Sequence, residues 1–179
     1  MNLDFVRVGP ERLEQISAFL TAEPWPYHGR PRLSAEQVRA SAAEGVYWSD
    51  ETETFLVLEA GTPAAYLRLF DLDDPTALFD LRIRAARRGQ GLGQTCVRWL
   101  SAHLFETRPE LHRIAANTRV DNHAMRAVLG RCGYVLEAYY RQAWPQEGRL
   151  HDCVSYALLR SDWESGTLTP TPFSQEAVR

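Results

Sequence analysis

The sequence predicts an α/β protein of the α+β kind, with a mixed central sheet of about seven strands flanked by about four helices. Two observations predict most of this. Stretches that alternate apolar and polar residues recur along the chain, several of them paired across short turn sequences. Stretches of helical period separate them, the longest beginning directly after a glycine-rich turn. A third observation bounds the answer: 179 residues fit one domain readily, since most domains hold roughly 100–200. The expected organisation is a domain over residues 1–165 and a flexible tail, rich in Thr, Pro and Ser, over 166–179.

The elements follow in order. Residues 3–8 alternate as a half-buried strand does, and Gly9-Pro10 stops them. Pro10 suits the first turn of a helix whose apolar positions are Leu13, Ile16, Phe19 and Leu20. Three prolines within 24–31 make the next segment a loop. Ser34 with Gln37 predicts a capping box for a second helix through about residue 44, with Gly45 as its stop. Residues 54–59 and 64–70 read as strands joined at Gly61-Thr62-Pro63, and 77–84 as a fourth strand with Phe79, Leu81 and Ile83 opposite Asp80, Arg82 and Arg84. A long helix from Leu92 carries Cys96, Trp99, Leu100 and Leu104 on one face. A short strand over 112–116, a helix over 122–131 stopped by Gly133, and two strands over 134–144 and 152–159 around Pro145-Gln146-Glu147-Gly148 complete the order.

Composition removes several functional classes. No apolar run approaches the roughly 20 residues a membrane helix needs, and the start of the chain lacks an export signal, so a cytoplasmic protein is expected. Three cysteines and five histidines fall at spacings that match neither a disulfide framework nor a zinc site, so no metal is expected. A net charge of −3 argues against a protein that coats nucleic acid. Locally the balance reverses. Every basic residue is arginine, and Arg82, Arg84, Arg87 and Arg88 crowd together, which keeps an RNA or polyanion patch open as an alternative reading.

The segment Arg87-Arg88-Gly89-Gln90-Gly91-Leu92-Gly93 is the strongest chemical signal. A glycine-rich turn between a strand and a helix aims backbone N–H groups and the positive helix end at one point, which suits a phosphate or pyrophosphate. A P-loop is excluded because it requires lysine. The glycine spacing also fails the dinucleotide fingerprint.

Arg88-Gly89-Gln90-Gly91-Leu92-Gly93 resembles the signature of the GNAT acetyltransferases: Arg or Gln, two residues, Gly, one residue, Gly or Ala. Residues 122–134 resemble the family's Asn-x-x-Ser helix ending in Gly-Phe. Residues 152–163 look like the last strand of the branch that contains ribosomal-protein amino-terminal acetylases. The resemblance covers residues 1–165, and the order of elements matches. It implies a GNAT fold and transfer of an acetyl group from acetyl-CoA to a primary amine, on a small molecule or a protein amino terminus. It also implies that the loop residues Arg88, Gly89, Gln90, Gly91, Leu92, Gly93 and Gln94 hold the pyrophosphate. Leu81, Ile83 and Arg84 would serve the pantetheine arm, and Asn117 and Asn122 would touch the cofactor as well. Relatives often dimerise through the late strands, which makes a homodimer an expectation.

The family often places a tyrosine on the late helix as general acid. Here that stretch reads Val128-Leu129-Gly130, and Met125 stands where the related branch has serine. A CoA-binding regulator without turnover therefore stays open beside the enzyme. Acetyl transfer needs a neutral amine, so Asp80 is the candidate base, its competing reading being a surface ion pair with Arg82. Tyr139 is favoured over Tyr140 for the reacting side, on the view that one of the two packs away from it. In relatives the loop between the first two helices walls the acceptor pocket, which nominates Glu23, Trp25 and Tyr27; the aromatics of that loop could equally plug the core. Asp71, Asp73 and Asp74 could steer a cationic acceptor or form a solvated turn.

Overall fold

The alternation at the start of the chain forms β1 (Leu3–Val8) in the computed structural model, which describes residues 2–171. Contacts gather the chain into two compact units, one ending at Leu92 and the other beginning at Gly93. In the first unit β1 leads to α1 (Leu13–Thr21), α2 (Ala35–Ala43), β2 (Glu53–Glu59), β3 (Thr62–Phe70) and β4 (Thr76–Ile83). The four strands pair antiparallel in the order β1-β2-β3-β4.

Local chemistry explains most boundaries. Ser34 and Gln37 close the expected capping box, the Gln37 N–H donating to Ser34 Oγ and the Ser34 N–H to Gln37 Oε1. Pro10 does not open α1. It starts a single 3-10 turn, Pro10–Arg12, because Arg12 at the helix entry offers no capping oxygen; the N–H of Gly9 is met instead by Glu11. The β2–β3 turn is tighter than its sequence suggested. Ala60 and Gly61 alone make it, with φ of 48° and 77°, as a two-residue turn with both φ positive requires. Pro63 is thus inside β3, beside a register shift at Val57/Leu58 where a residue without an N–H is tolerated.

The first core lies on the face of β2 and β3 that presents Leu56 and Tyr66, where Ile16, Phe19 and Leu20 of α1 and Val38 of α2 cover it. Trp25, from the proline-rich loop, is 1% exposed, stacks on Phe19 at 5.3 Å and donates its indole N–H to Leu20 O at 2.8 Å. Its backbone N–H also bonds Pro31 O, so one buried residue closes the loop on itself.

In the second unit α3 (Leu92–Thr107) continues from the glycine turn, followed by β5 (Arg113–Arg119), α4 (His123–Arg131), β6 (Val135–Gln146), β7 (Arg149–Leu159) and α5 (Arg160–Ser165). The strands pair antiparallel in the order β5-β7-β6. Cys96, Leu100 and Leu104 are fully buried on the expected face of α3, with Ile114, Leu129, Val154 and Leu158 also buried in this unit. The β6–β7 turn is again two residues, Glu147 and Gly148 with φ of 48° and 75°, so Pro145 pairs with Leu150 inside a strand that has β7 on one side.

The sequence missed α5. The strand ends at Leu159, where Arg160 turns its guanidinium to the carbonyls of Phe105, Arg108 and Leu111, and Gly166 caps the helix at φ 68°. The segment expected to be a loose tail starts with Thr169 bonded through both its N–H and its hydroxyl to the buried carboxylate of Asp162. The rest of that expectation, over 172–179, lies outside the described residues.

Trp25→Ala is expected to cost about 3–5 kcal/mol, since it empties an indole-sized space and strands the Leu20 carbonyl. The check is urea unfolding, read as a lower midpoint at unchanged slope.

Candidate active site

A strand that ends without a partner for its last amides must hand them to solvent or ligand. After β4 the chain makes a 3-10 turn, Ala85–Arg87, then the exposed residues 88–91, then enters α3 at Leu92. Gly89 and Gly91 take φ of 74° and 85°, a region closed to most side chains, and a Cβ built at either would meet no atom within 4 Å. The space over the loop is therefore open on the side where an anion would lie. The backbone N–H groups of Gly89 and Gln90 have no acceptor among the described residues, and the first amides of any helix have none within it. Together they form a cradle for an oxyanion.

Side chains brace this loop from below. Arg88 donates from Nε to Ile83 O at 3.0 Å and from Nη2 to Glu23 Oε1 at 3.3 Å, and the same Glu23 oxygen accepts the Ala85 N–H at 2.7 Å. Arg87 bonds Gln90 Oε1 and forms an ion pair with Glu59, and Gln90 Nε2 donates to Ala86 O. Arg84 lies over the Phe19 ring at 4.5 Å. The arginine cluster is thus a set of individual ion pairs and one ring contact, which removes the observation that favoured a polyanion patch. Glu23, nominated for the acceptor, here ties the loop to Ala85 and Arg88.

Asp80 is the centre of a second arrangement. Register pairs Arg68 with Asp80 and Tyr66 with Arg82, so these four side chains share one face of β3 and β4, the face that carries Tyr66 into the core. The charged side of β4 is turned inward. Arg82 donates from Nε and Nη2 to Asp80 Oδ2 at 3.2 and 3.0 Å, and His28 Nδ1 lies 3.1 Å from Oδ1 without an aligned hydrogen bond. The side chains of His28, Asp80 and Arg82 keep 23%, 16% and 11% exposure, so the group reaches solvent at its rim. Burial alone would raise the Asp80 carboxyl; the neighbouring His28 and Arg82 overcome it and hold the group well below the usual carboxylate range. Asp80 is not a surface pair: its side chain is largely covered between His28 and Arg82.

Trp25 sits edge-on to His28, with ring centroids 6.5 Å apart, and the His28 N–H donates to Trp25 O. The buried indole therefore plugs the core while setting the histidine over Asp80. Tyr27 beside it is half-buried. Asp71, Asp73 and Asp74 form an exposed turn closed by the Asp74 N–H on Asp71 O.

In the second unit the expected residues separate into different tasks. Asn122 is the N-cap of α4: Oδ1 accepts the Met125 N–H and Nδ2 donates to Thr118 Oγ1, which occupies both polar atoms of the amide. Asn117 on β5 is exposed, and Gln94 gives its carbonyl to the Cys132 thiol. Tyr139 directs its hydroxyl proton to Asp152, which raises its affinity for that proton, so it is a poor acid. Tyr139 and Tyr140 are both about half exposed, against the expectation that one packs away. Two tyrosines of this unit are buried, Tyr156 and Tyr134, and the Tyr134 hydroxyl meets Ser101 Oγ at 2.9 Å.

Sequence reasoning missed His28 and Arg68. His28 lies in no periodic or glycine-marked pattern and Arg68 only in the alternation of one strand; each comes near Asp80 through a loop contact or strand register.

Comparison with known proteins identifies the family and the fold. The acetyltransferase (GNAT) family model matches residues 17–134. "Putative ribosomal N-acetyltransferase YdaF" of Bacillus subtilis (strain 168) is 31% identical over 110 residues, and the match covers 60% of each protein. The RimL ribosomal L7/L12 alpha-N-protein acetyltransferase in complex with coenzyme A superposes with a TM-score of 0.77 at 20% identity, over 89% of this chain and 94% of that one. A spermidine N-acetyltransferase from Vibrio cholerae, in complex with CoA and spermine, gives 0.75 at 19% identity over 90% and 98%. These structures establish the fold.

Asp80, held low by its partners, contributes stability that is fully present above the unfolded carboxyl value near 3.9 and is lost as the pH falls through its folded value. The stability gap between wild type and Asp80→Asn should therefore be widest near neutral pH and narrow below about pH 4. Urea titrations across that range measure it.

Proposed function

As the chain belongs to the acetyltransferase (GNAT) family, we propose that it transfers an acetyl group from acetyl-CoA directly to a primary amine, on a small molecule or a protein amino terminus. The observation that carries this reading is the exposed Arg88–Gly91 loop with free amides at Gly89 and Gln90 at the entrance of α3. Its amides and those of Leu92, Gly93 and Gln94 in the first turn suit the pyrophosphate. Leu81 and Ile83 on β4 are assigned to the pantetheine arm, Asn117 to the cofactor, and Arg84 and Arg88 to holding the strand and loop in shape.

Direct transfer asks little covalent chemistry of the protein. The amine nitrogen attacks the thioester carbon, the C–S bond breaks, the amine's proton leaves, and the CoA thiolate takes a proton from water. Positioning supplies much of the rate. The residue suited to receive the amine's proton is His28, whose Nδ1 faces the Asp80 carboxylate and whose Nε2 is then the basic nitrogen. Asp80 acts as its positioning residue. Tyr139 enters no step.

Isothermal titration with acetyl-CoA and CoA tests the central claim. Micromolar binding to wild type, weakened at least about tenfold in Gly91→Trp, is expected, because the indole fills the open space over the loop. Failure of wild type to bind either ligand would overturn the reading. For the base, His28→Gln should lower kcat by about 10²-fold at neutral pH and by much less at pH 9, where the amine sheds its proton unaided; equal losses at both would remove His28 from the step.

A further inference from the structure

Four buried polar atoms on one sheet face of the first unit lack an aligned hydrogen bond: Thr54 Oγ1, Arg68 Nε, Asp80 Oδ1 and Arg82 Nη1. Register puts them together. Thr54 pairs with Arg68 and Arg68 with Asp80, making one row across β2, β3 and β4, and Arg82 stands in the adjacent row opposite Tyr66. Neighbours in such a row are about 5 Å apart and adjacent rows on one face about 7 Å.

The charges of this row do not balance. Arg82 is met by Asp80, but Arg68 has only the Val46 carbonyl at 3.2 Å and the face of the Phe70 ring at 4.4 Å, with no carboxylate paired to it among the described residues. Two guanidiniums thus share one carboxylate, and the atoms left over are two N–H donors and a hydroxyl on the Arg68 side. Arg68 is half-buried with its Nε shut off from solvent, and a guanidinium that is partly desolvated without a counter-charge is suited to receive another anion. A carboxylate fits the fork of an arginine, and the Thr54 hydroxyl can donate to it as well. The opposite end, His28 with Asp80, suits an amine.

Resting on the acetyltransferase reading above, we propose that the acceptor is a primary amine that itself carries a carboxylate a few bonds from its nitrogen, with the acid held by Arg68, Arg82 and Thr54 and the amine directed to His28 and Asp80. A polycation such as spermine would place its further ammonium groups against Arg68 and Arg82, which like-charge repulsion opposes.

The test compares CoA release from acetyl-CoA with acceptors of matched size, rates being referred to the neutral amine because amidation also lowers the amine's basicity: glycine against glycinamide, and 4-aminobutyrate against its amide, with spermine as a third arm. Wild type should favour the acid by at least about tenfold in kcat/KM, and Arg68→Gln should bring that ratio to within about threefold; taking a ratio cancels any general loss of activity. A second measurement needs no turnover. Propionate, an acid without an amine, should raise the Tm of the wild type and leave that of Arg68→Gln unmoved, which would support the acid site even if no acceptor in the panel reacts. Equal rates on acid and amide, faster reaction of spermine, or equal responses of the two proteins to propionate would overturn the proposal. Loss of acetyl-CoA binding would instead strike the acetyltransferase reading, and titration reports it separately.

Discussion

Asp80 is ionised inside the first unit because His28 and Arg82 reach it there, and much of the rest follows from keeping that charge satisfied. A carboxylate on the helix-covered face of a strand is tolerable only with partners fixed in place. Arg82 comes from the same strand two residues on, so its position is given by the pleat. His28 comes from a loop, and a loop histidine holds one position only if something pins the loop.

Trp25 does the pinning. Its ring is buried on Phe19, its indole N–H is met by Leu20 O, and its backbone binds Pro31 and His28. Burying a side chain of that size is worth roughly 1.5–3 kcal/mol or more, enough to order a segment whose prolines already limit its freedom. Two residues earlier, Glu23 ties the same loop to Ala85 and Arg88. One loop therefore positions the histidine above Asp80 and braces the glycine turn, so a change in either contact is felt by the other.

The arginines show how the same residue type serves different ends according to surroundings. Arg87 and Arg88 neutralise carboxylates and tie down the turn, Arg84 covers an aromatic ring, and Arg82 fixes Asp80. Arg68, two strands from the edge, has no charge partner among the described residues. Clustering in sequence suggested a single positive surface; the pleat and the turn send neighbouring side chains to different partners.

The sequence by itself determined the order of elements, the capping box at Ser34, the burial of one face of α3, and the glycine turn between β4 and α3. Each of these is written in residues close together, where periodicity, caps and glycine conformations act. The two-residue hairpins escaped because Pro63 and Pro145 suggested longer turns, and α5 escaped because its anchor, Arg160, works through carbonyls about fifty residues earlier. Only the tertiary structure decided that Asp80 is covered between His28 and Arg82, that Asn122 caps a helix, that Glu23 braces a loop, and that Arg68 lies in register with Asp80. Those roles depend on strand register and loop closure, which bring together groups that no local pattern links, and on the low dielectric of the covered face, which decides whether a charged group keeps its proton.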